Sequence, residues 1–98
     1  MLWSVDITPE AKADIQKGIH WYNGKQKGLG KRFHKEVKNC IDRIGKNPFY
    51  GIRYNQMRCV LVHKFPYLIH FMVEESEKKI IILGVLHTSL NPEENWFL

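Results

Sequence analysis

The chain has 98 residues, 44% of them hydrophobic, which provides apolar mass for one small core and not for two. No apolar run approaches the roughly 20 residues of a membrane span, and no basic segment followed by an apolar one opens the chain, so we expect a single cytoplasmic domain over residues 1–98 without membrane contact. The net charge of +5 arises in residues 1–50, with ten basic and five acidic residues, which favours an anionic partner, either nucleic acid or an acidic peptide.

The N-terminal segment is predicted to form a strand and then a helix. Residues 2–7, LWSVDI, alternate weakly in polarity, as a short strand does. Thr8 can cap a helix, Pro9 fits the first helical turn, and Glu10 suits the positive end of the helix dipole. The apolar residues that follow recur at the spacing of one helical face, and Asn23-Gly24 predicts the end: Ala11, Ile15, Ile19 and Tyr22.

A second helix is predicted after Gly28 to Gly30. Gly45 and Asn47-Pro48 predict its end, and the short connection between the two helices predicts a helical hairpin. Its apolar stripe consists of Leu29, Phe33, Val37, Cys40 or Ile41, and Ile44. Four basic residues lie off this stripe, either on an anion-binding surface or on a solvated helix face: Lys31, Arg32, Lys35 and Lys38.

The pattern changes to a period of two after Pro48. A short strand is predicted at residues 52–54, longer ones at 57–65, 67–73 and 80–87, and a turn at 75–78. Short links predict antiparallel pairing. The fold class is therefore α+β: an N-terminal strand, a helical hairpin, and a three- to four-stranded antiparallel sheet with the hairpin on one face. No segment is predicted to cover the opposite face, which is then either wet or a binding surface.

The hairpin segment VHKFPYLIHF, residues 62–71, carries polar groups that a purely structural hairpin does not need. Counting alternate positions from Arg58 places Lys64 and His70 on the open face and His63 toward the helices or the rim. Cys40 and Cys59 form no paired motif, so we expect two reduced thiols. A metal site from Cys59 and the strand histidines matches no recognised ligand spacing, and no metal or other cofactor is predicted.

Several segments together resemble the RelE/ParE superfamily of bacterial type II toxin–antitoxin systems, most closely the ParE, or plasmid-stabilisation, branch. They cover nearly the whole chain and are WYN, GLGKRFHKEV, NPFYGIRY, MRCVLVHKFPYLIHFMVEE and VLHTSLNPEENW. The resemblance implies the β-α-α-β-β-β order, growth inhibition, and a cognate antitoxin whose tail wraps the toxin, with a dimer or a toxin–antitoxin hetero-oligomer as the assembly. It also implies one of two targets: DNA gyrase for ParE-type members, or messenger RNA on the ribosome, cleaved by RelE-type members.

The ribonuclease alternative requires a base, a phosphate clamp and a proton donor. Arg58 could hold a phosphate bidentately, and His87 could shuttle protons near neutral pH. Ribonuclease members carry an Arg and a Tyr or His near the C-terminal end; His87 matches, but Thr88 follows it, and Leu90 stands where relatives have Arg. These departures favour a non-catalytic toxin. The further phosphate clamps would be Arg53 and Lys64.

A gyrase inhibitor requires a contact surface and no catalytic set. The basic residues of the second helix, with Trp96 and Phe97, are the predicted partner contacts, since aromatic and Arg residues often dominate interfaces. Trp96 packing under the sheet edge is the structural alternative. A third possibility is a non-toxic relative that only binds an antitoxin tail, which is disordered until bound and is attracted by the positive charge. The favoured prediction is a ParE-like toxin that inhibits gyrase by binding.

Overall fold

The computed structural model describes residues 3–98, and the bounds of its elements are close to those predicted. Met1 and Leu2 lie outside the described residues, and Leu2 is the first residue of the predicted strand 2–7. In chain order the elements are β1 (Ser4–Ile7), α1 (Pro9–Lys25), α2 (Leu29–Lys46), β2 (Ile52–Tyr54), β3 (Met57–Leu61), β4 (Tyr67–Glu74), β5 (Lys79–His87) and α3 (Pro92–Asn95).

The two long helices begin where local chemistry favours it. Thr8 accepts a hydrogen bond from the Ala11 amide at 3.1 Å, and Pro9 occupies the first helical position. Gly28, with φ of 84°, adopts the left-handed conformation that starts α2. α1 continues through Gly24 to Lys25, slightly beyond the predicted end, because a single exposed glycine is tolerated in a helix.

The helical hairpin is tight because Gly30 lies directly against α1. A β-carbon at Gly30 would lie 2.4 Å from the Ile19 carbonyl oxygen, closer than any such contact allows. The Gly30 amide also donates to Oδ1 of Asn23 at 2.9 Å. The sequence Asn23-Gly24 therefore marks the region where the two helices meet rather than the last residue of α1.

The five strands form one mixed sheet in the order β1-β5-β4-β3-β2. β1 runs parallel to β5, with Val5 opposite Ile80, and the other neighbours are antiparallel. The α+β class is confirmed, but the sheet has five strands rather than three or four and is not wholly antiparallel. Sequence reasoning considered links between consecutive strands, whereas β1 pairs with the strand farthest from it in sequence.

The core lies between the helical hairpin and one sheet face. α2 contributes Phe33, Val37, Cys40 and Ile44, and the sheet contributes Ile69, Phe71, Ile80, Ile82 and Val85, all buried. Aromatic rings close the core at the β3–β4 turn, where the Phe33 and Tyr67 centroids are 4.8 Å apart and those of Tyr22 and Phe65 are 4.9 Å apart. Cys40 and Cys59 are free thiols.

The second sheet face is partly covered, contrary to the prediction that no segment covers it. The chain turns back after α3, and Trp96 stacks on Tyr54 with ring centroids 4.9 Å apart. Phe97 lies so close to Gly84 that a β-carbon there would be 2.7 Å from the ring. Such a return of the C-terminus leaves no periodic signal, so alternation within strands could not reveal it.

The predicted placement of Arg58 and His70 on one face is wrong. In the β3–β4 ladder, Cys59 pairs with His70 and Arg58 pairs with the core residue Phe71. Even-numbered positions of β3 thus face odd-numbered positions of β4, so counting through the turn gave the wrong face. His70 is fully buried rather than exposed on an open face. His63 is exposed in the turn, at the rim, and Lys64 is exposed in the same turn with φ of 70°.

Candidate functional site

A recess of about 480 Å³ opens between α1 and the C-terminal end of β5, a volume typical of small binding sites. His87, the candidate proton shuttle, lies on its wall. The recess combines charged, aromatic and apolar side chains, among them Asp14, Lys17, Trp21, Tyr67, His87 and Leu90. The sequence analysis assigned a role to His87 and noted Leu90, but it missed the α1 residues. Their spacing of three and four residues placed them on one helical face, but no pattern indicated which strand end they meet.

Asp14 connects α1 to the sheet at the base of this recess. β1 ends at Ile7, opposite Ile82, so the following part of β5 has no strand beside it on that edge. The Val85 amide instead donates to Oδ2 of Asp14 at 3.1 Å. Burial raises the pKa of the Asp14 carboxyl, while the amide bond and the neighbouring Lys17 act in the opposite direction.

His87 is held in one orientation by the residues after β5. Its Nδ1 atom accepts from the Ser89 amide at 3.0 Å and lies 2.8 Å from the Ser89 hydroxyl. Because a backbone amide can only donate, the proton of the neutral imidazole lies on Nε2. The ring also meets the Tyr67 ring edge-to-face, with centroids 5.1 Å apart. The imidazole is thus half-buried and oriented, as a proton donor or a contact residue requires.

Arg58 is not near His87. Its guanidinium donates to the Tyr50 carbonyl oxygen and packs over Phe49. Within residues 3–98 its Nε atom is buried and has no hydrogen-bond partner. Arg58 pairs with Phe71, whereas His87 pairs with Tyr67, four residues along β4, which corresponds to roughly 13 Å along the strands. The predicted clamp and the predicted proton shuttle therefore lie on strands that are not neighbours, four residue pairs apart along β4.

The other two predicted clamps do not join His87 either. Arg53 is exposed on the edge strand β2, with its guanidinium 5.5 Å from the centre of the Trp96 ring. Lys64 borders a separate depression beside Arg32 and Glu36. The four candidate catalytic residues thus lie in different surroundings: Arg58 against Phe49, Arg53 against Trp96, Lys64 in the β3–β4 turn, and His87 at the recess.

His70 forms a buried polar cluster under the C-terminal segment. Its Nδ1 atom lies 2.9 Å from the Tyr54 hydroxyl and 3.3 Å from the Cys59 sulfur. The Tyr54 hydroxyl also accepts from the Phe97 amide at 3.3 Å, so the cluster anchors the chain end to the sheet.

Burial, and then the charge of Arg53, lower the pKa of His70 from 6.5 to about 4. Burial also raises the pKa of the Cys59 thiol. Both groups are neutral near pH 7, which is typical of a structural cluster.

The predicted partner residues fall into two different environments. Trp96 and Phe97 are half-buried against Tyr54 and His70, as the structural alternative for Trp96 predicted. The four predicted basic residues of α2, called here the basic face, are all exposed: Lys31, Arg32, Lys35 and Lys38. Among residues 3–98 the ion pairs join only Lys79 to Asp6 and Glu77, so no carboxylate of the described chain forms an ion pair with the basic face.

Solved structures of toxins and toxin–antitoxin complexes have a fold similar to this helical hairpin on one face of a mixed sheet. The chromosomal ParDE system of Pseudomonas aeruginosa is similar, with a TM-score of 0.67 and 19% identity over 89% of this chain and 97% of that chain. The isolated Escherichia coli RelE toxin gives a TM-score of 0.69 and 10% identity over 94% and 90%. The toxin–antitoxin complex RelBE of Escherichia coli gives 0.69 and 12% over 90% and 99%.

The family follows from the sequence itself. The family model described as the ParE toxin of the type II toxin–antitoxin system parDE matches residues 5–92. The chain therefore belongs to the ParE toxin family. No curated protein matches the chain. Within residues 3–98 no helix is long and apolar enough to cross a membrane.

Proposed function

We propose that this chain inhibits DNA gyrase by binding, performs no chemistry on RNA, and is neutralised in the cytoplasm by a cognate antitoxin. The observation that carries the proposal is the separation of Arg58 from His87 by roughly 13 Å along the sheet. Membership of the ParE family supports the same target.

The chemistry of RNA cleavage explains why this separation matters. A base, a proton donor and a phosphate clamp must lie within hydrogen-bond reach of one scissile phosphate. Arg58 already donates to the Tyr50 carbonyl oxygen and packs on Phe49. Thr88 and Leu90, which stand beside His87 in the sequence, offer no charged group in its place. A toxin that acts by binding requires none of these groups.

The alternative is a ribosome-dependent messenger RNA endonuclease, and one observation favours it. His87 shares its recess with Lys17 and Tyr67, so an imidazole, an ammonium group and a phenol border the same space. Such a set could transfer protons and hold a phosphate if RNA entered the recess. This alternative makes His87 essential, whereas the gyrase proposal does not.

Titration of the purified protein into a gyrase supercoiling reaction tests the proposal. We expect inhibition with cleaved DNA trapped, and we expect His87→Ala to inhibit equally because the imidazole performs no chemical step. Circular dichroism of the variant controls for folding. Unimpaired supercoiling at micromolar protein, together with new messenger RNA 5′ ends in cells that disappear in His87→Ala, would establish the endonuclease instead.

We propose further that the antitoxin tail lies in the recess beside α1. Trp21 is 57% exposed and Leu90 is 37% exposed, so the recess has apolar side chains whose surface a bound partner could bury. An antitoxin tail that is disordered until bound would bury these side chains and place acidic groups near Lys17.

Trp21→Ala should weaken antitoxin binding at least about tenfold, because large aromatic side chains often dominate interfaces. Isothermal titration with the antitoxin measures this effect. Ile52→Ala is the matched control, since Ile52 is 53% exposed on β2, at the opposite edge of the sheet from β1. If Trp21→Ala and the unchanged protein bound the antitoxin with equal affinity, the tail would not lie against Trp21 in the recess.

A further inference from the structure

We infer that the basic face of α2 binds the phosphate backbone of double-stranded DNA, without reading its sequence. Lys31, Lys35 and Lys38 follow one another at spacings of four and three residues, so they form a single stripe on the exposed side of the helix, and Arg32 flanks it. The inference is independent of gyrase inhibition, because it concerns a direct contact between this chain and DNA.

The fold does not itself account for this charge. Lys31 and Arg32 lie in the first turn of α2, which contains no acidic residue, so they are next to the positive end of the helix dipole. Glu36 and Asp42, the two acidic residues of the helix, make no ion pair with any of its cations. The basic face therefore costs some helix stability, and an external anion would relieve the repulsion.

The composition of the face favours nucleic acid over an acidic protein segment. The apolar residues of α2 are buried in the core or partly covered, and its fully exposed positions are all polar or charged. Protein interfaces are depleted in Lys and use aromatic and apolar anchors, which the basic face does not offer. Phosphates require only cations and hydrogen-bond donors.

The same composition favours a duplex over a single strand. Proteins that hold single-stranded nucleic acid stack its bases on aromatic side chains, and no aromatic side chain is exposed on α2 except the imidazole of His34. Duplex DNA has one negative charge per roughly 1.7 Å of its axis, which matches a row of cations. We therefore place this row of cations along the phosphate backbone, whose contacts fix position without reading sequence.

Fluorescence anisotropy with a labelled 20-base-pair duplex tests the inference. Four phosphate contacts predict a slope of about −3.6 for log K against log salt, or roughly 100-fold weaker binding at 200 mM than at 50 mM NaCl. The triple variant Lys31→Gln, Lys35→Gln, Lys38→Gln should bind at least tenfold more weakly at 50 mM, with a slope near about −1.

Two controls separate a local surface from overall charge. The triple variant Lys12→Gln, Lys17→Gln, Lys78→Gln removes three exposed lysines without ion pairs away from α2 and should bind as the unchanged protein does. Asp42, one helical turn beyond Lys38, should repel the backbone, so Asp42→Asn should bind more tightly. Equal weakening by both triple variants, absence of duplex binding at 50 mM NaCl, or tighter binding of poly-glutamate or single-stranded RNA would each overturn the inference.

Discussion

His70 shows how a single residue can serve structure where the sequence suggested an exposed polar surface. Its imidazole is enclosed by Tyr54, Cys59, Trp96 and Phe97, and only one of its nitrogens has a hydrogen-bond partner among the described residues. The charged imidazolium would lose its hydration on burial and would face the positive charge of Arg53, so the folded protein holds the neutral form.

Acidification should therefore destabilise the protein through His70. The pKa of His70 is lowered from 6.5 in the unfolded chain to about 4 in the folded protein, so the unfolded chain binds the proton first as the pH falls. The stability contributed by neutral His70 is present above pH 6.5 and is lost as the pH falls toward 4, a change of about 3 kcal/mol. Urea unfolding at pH 7.5, 6 and 5 measures this decline.

His70→Gln is the comparison that isolates the effect. The variant has no imidazole at this position, so its free energy of unfolding should fall less between pH 7.5 and pH 5 than that of the unchanged protein. Other groups titrate equally in both proteins, so the difference in slope belongs to His70. If the free energy of unfolding fell equally with pH in the two proteins, the folded protein would protonate His70 as easily as the unfolded chain does. That result would contradict the destabilising effect expected from burial.

Single residues were predictable where their role is local and unpredictable where it depends on distant segments. His87 was placed correctly at a strand end, because its position follows from the alternation of β5. Asp14, Lys17 and Trp21 were missed at the same recess, because their meeting with β5 depends on how α1 crosses the sheet. The assignment of Arg58 to the face of His70 was wrong because the pairing of β3 with β4, rather than the count along the chain, decides the face.

At the scale of elements, the contact between α1 and α2 depends on one glycine. Gly30 allows the two helix backbones to approach until a β-carbon would lie 2.4 Å from the Ile19 carbonyl oxygen. Backbone atoms cannot rotate away as a side chain can, so any larger residue must separate the helices. The apolar stripe of α2 then loses part of its contact with the core.

Gly30→Ala should lower the free energy of unfolding by about 1–3 kcal/mol, the usual cost of forcing extra atoms into a packed contact. Gly24→Ala is the matched control, since a β-carbon at Gly24 meets nothing within 4 Å. Alanine favours a helix over glycine, so the control should be unchanged or up to about 1 kcal/mol more stable. Thermal unfolding of both variants measures the contrast, and equal destabilisation would contradict the close helix approach.

The elements themselves were largely predictable because their signals are local. Thr8-Pro9-Glu10 marked the start of α1, and the stripe from Leu29 to Ile44 marked the buried face of α2. The parallel pairing of β1 with β5 was not predictable, because weak alternation in four residues does not indicate a partner. The cover formed by Trp96 and Phe97 also lacks a local signal, although Gly84, a glycine in an otherwise apolar strand, is consistent with close approach of another segment.

At the scale of the whole molecule, the basic face and the recess beside α1 lie on different elements. The basic face occupies α2, whereas the recess lies between α1 and the end of β5. An antitoxin tail and a DNA duplex could therefore approach different surfaces of one small domain. The two proposals can be tested separately, because Trp21 and Lys31 belong to different elements.

The pairing of β1 with β5 also has a consequence for synthesis. β1 leaves the ribosome before the other four strands, yet its partner, Lys79–Ile82, belongs to the last of the five to be made. The amides and carbonyls of β1 find their strand partner only when β5 has emerged, and such distant pairings form slowly. The recess beside β5 is completed at the same late stage. A growing chain thus cannot form the complete sheet, or the recess beside it, before β5 has left the ribosome.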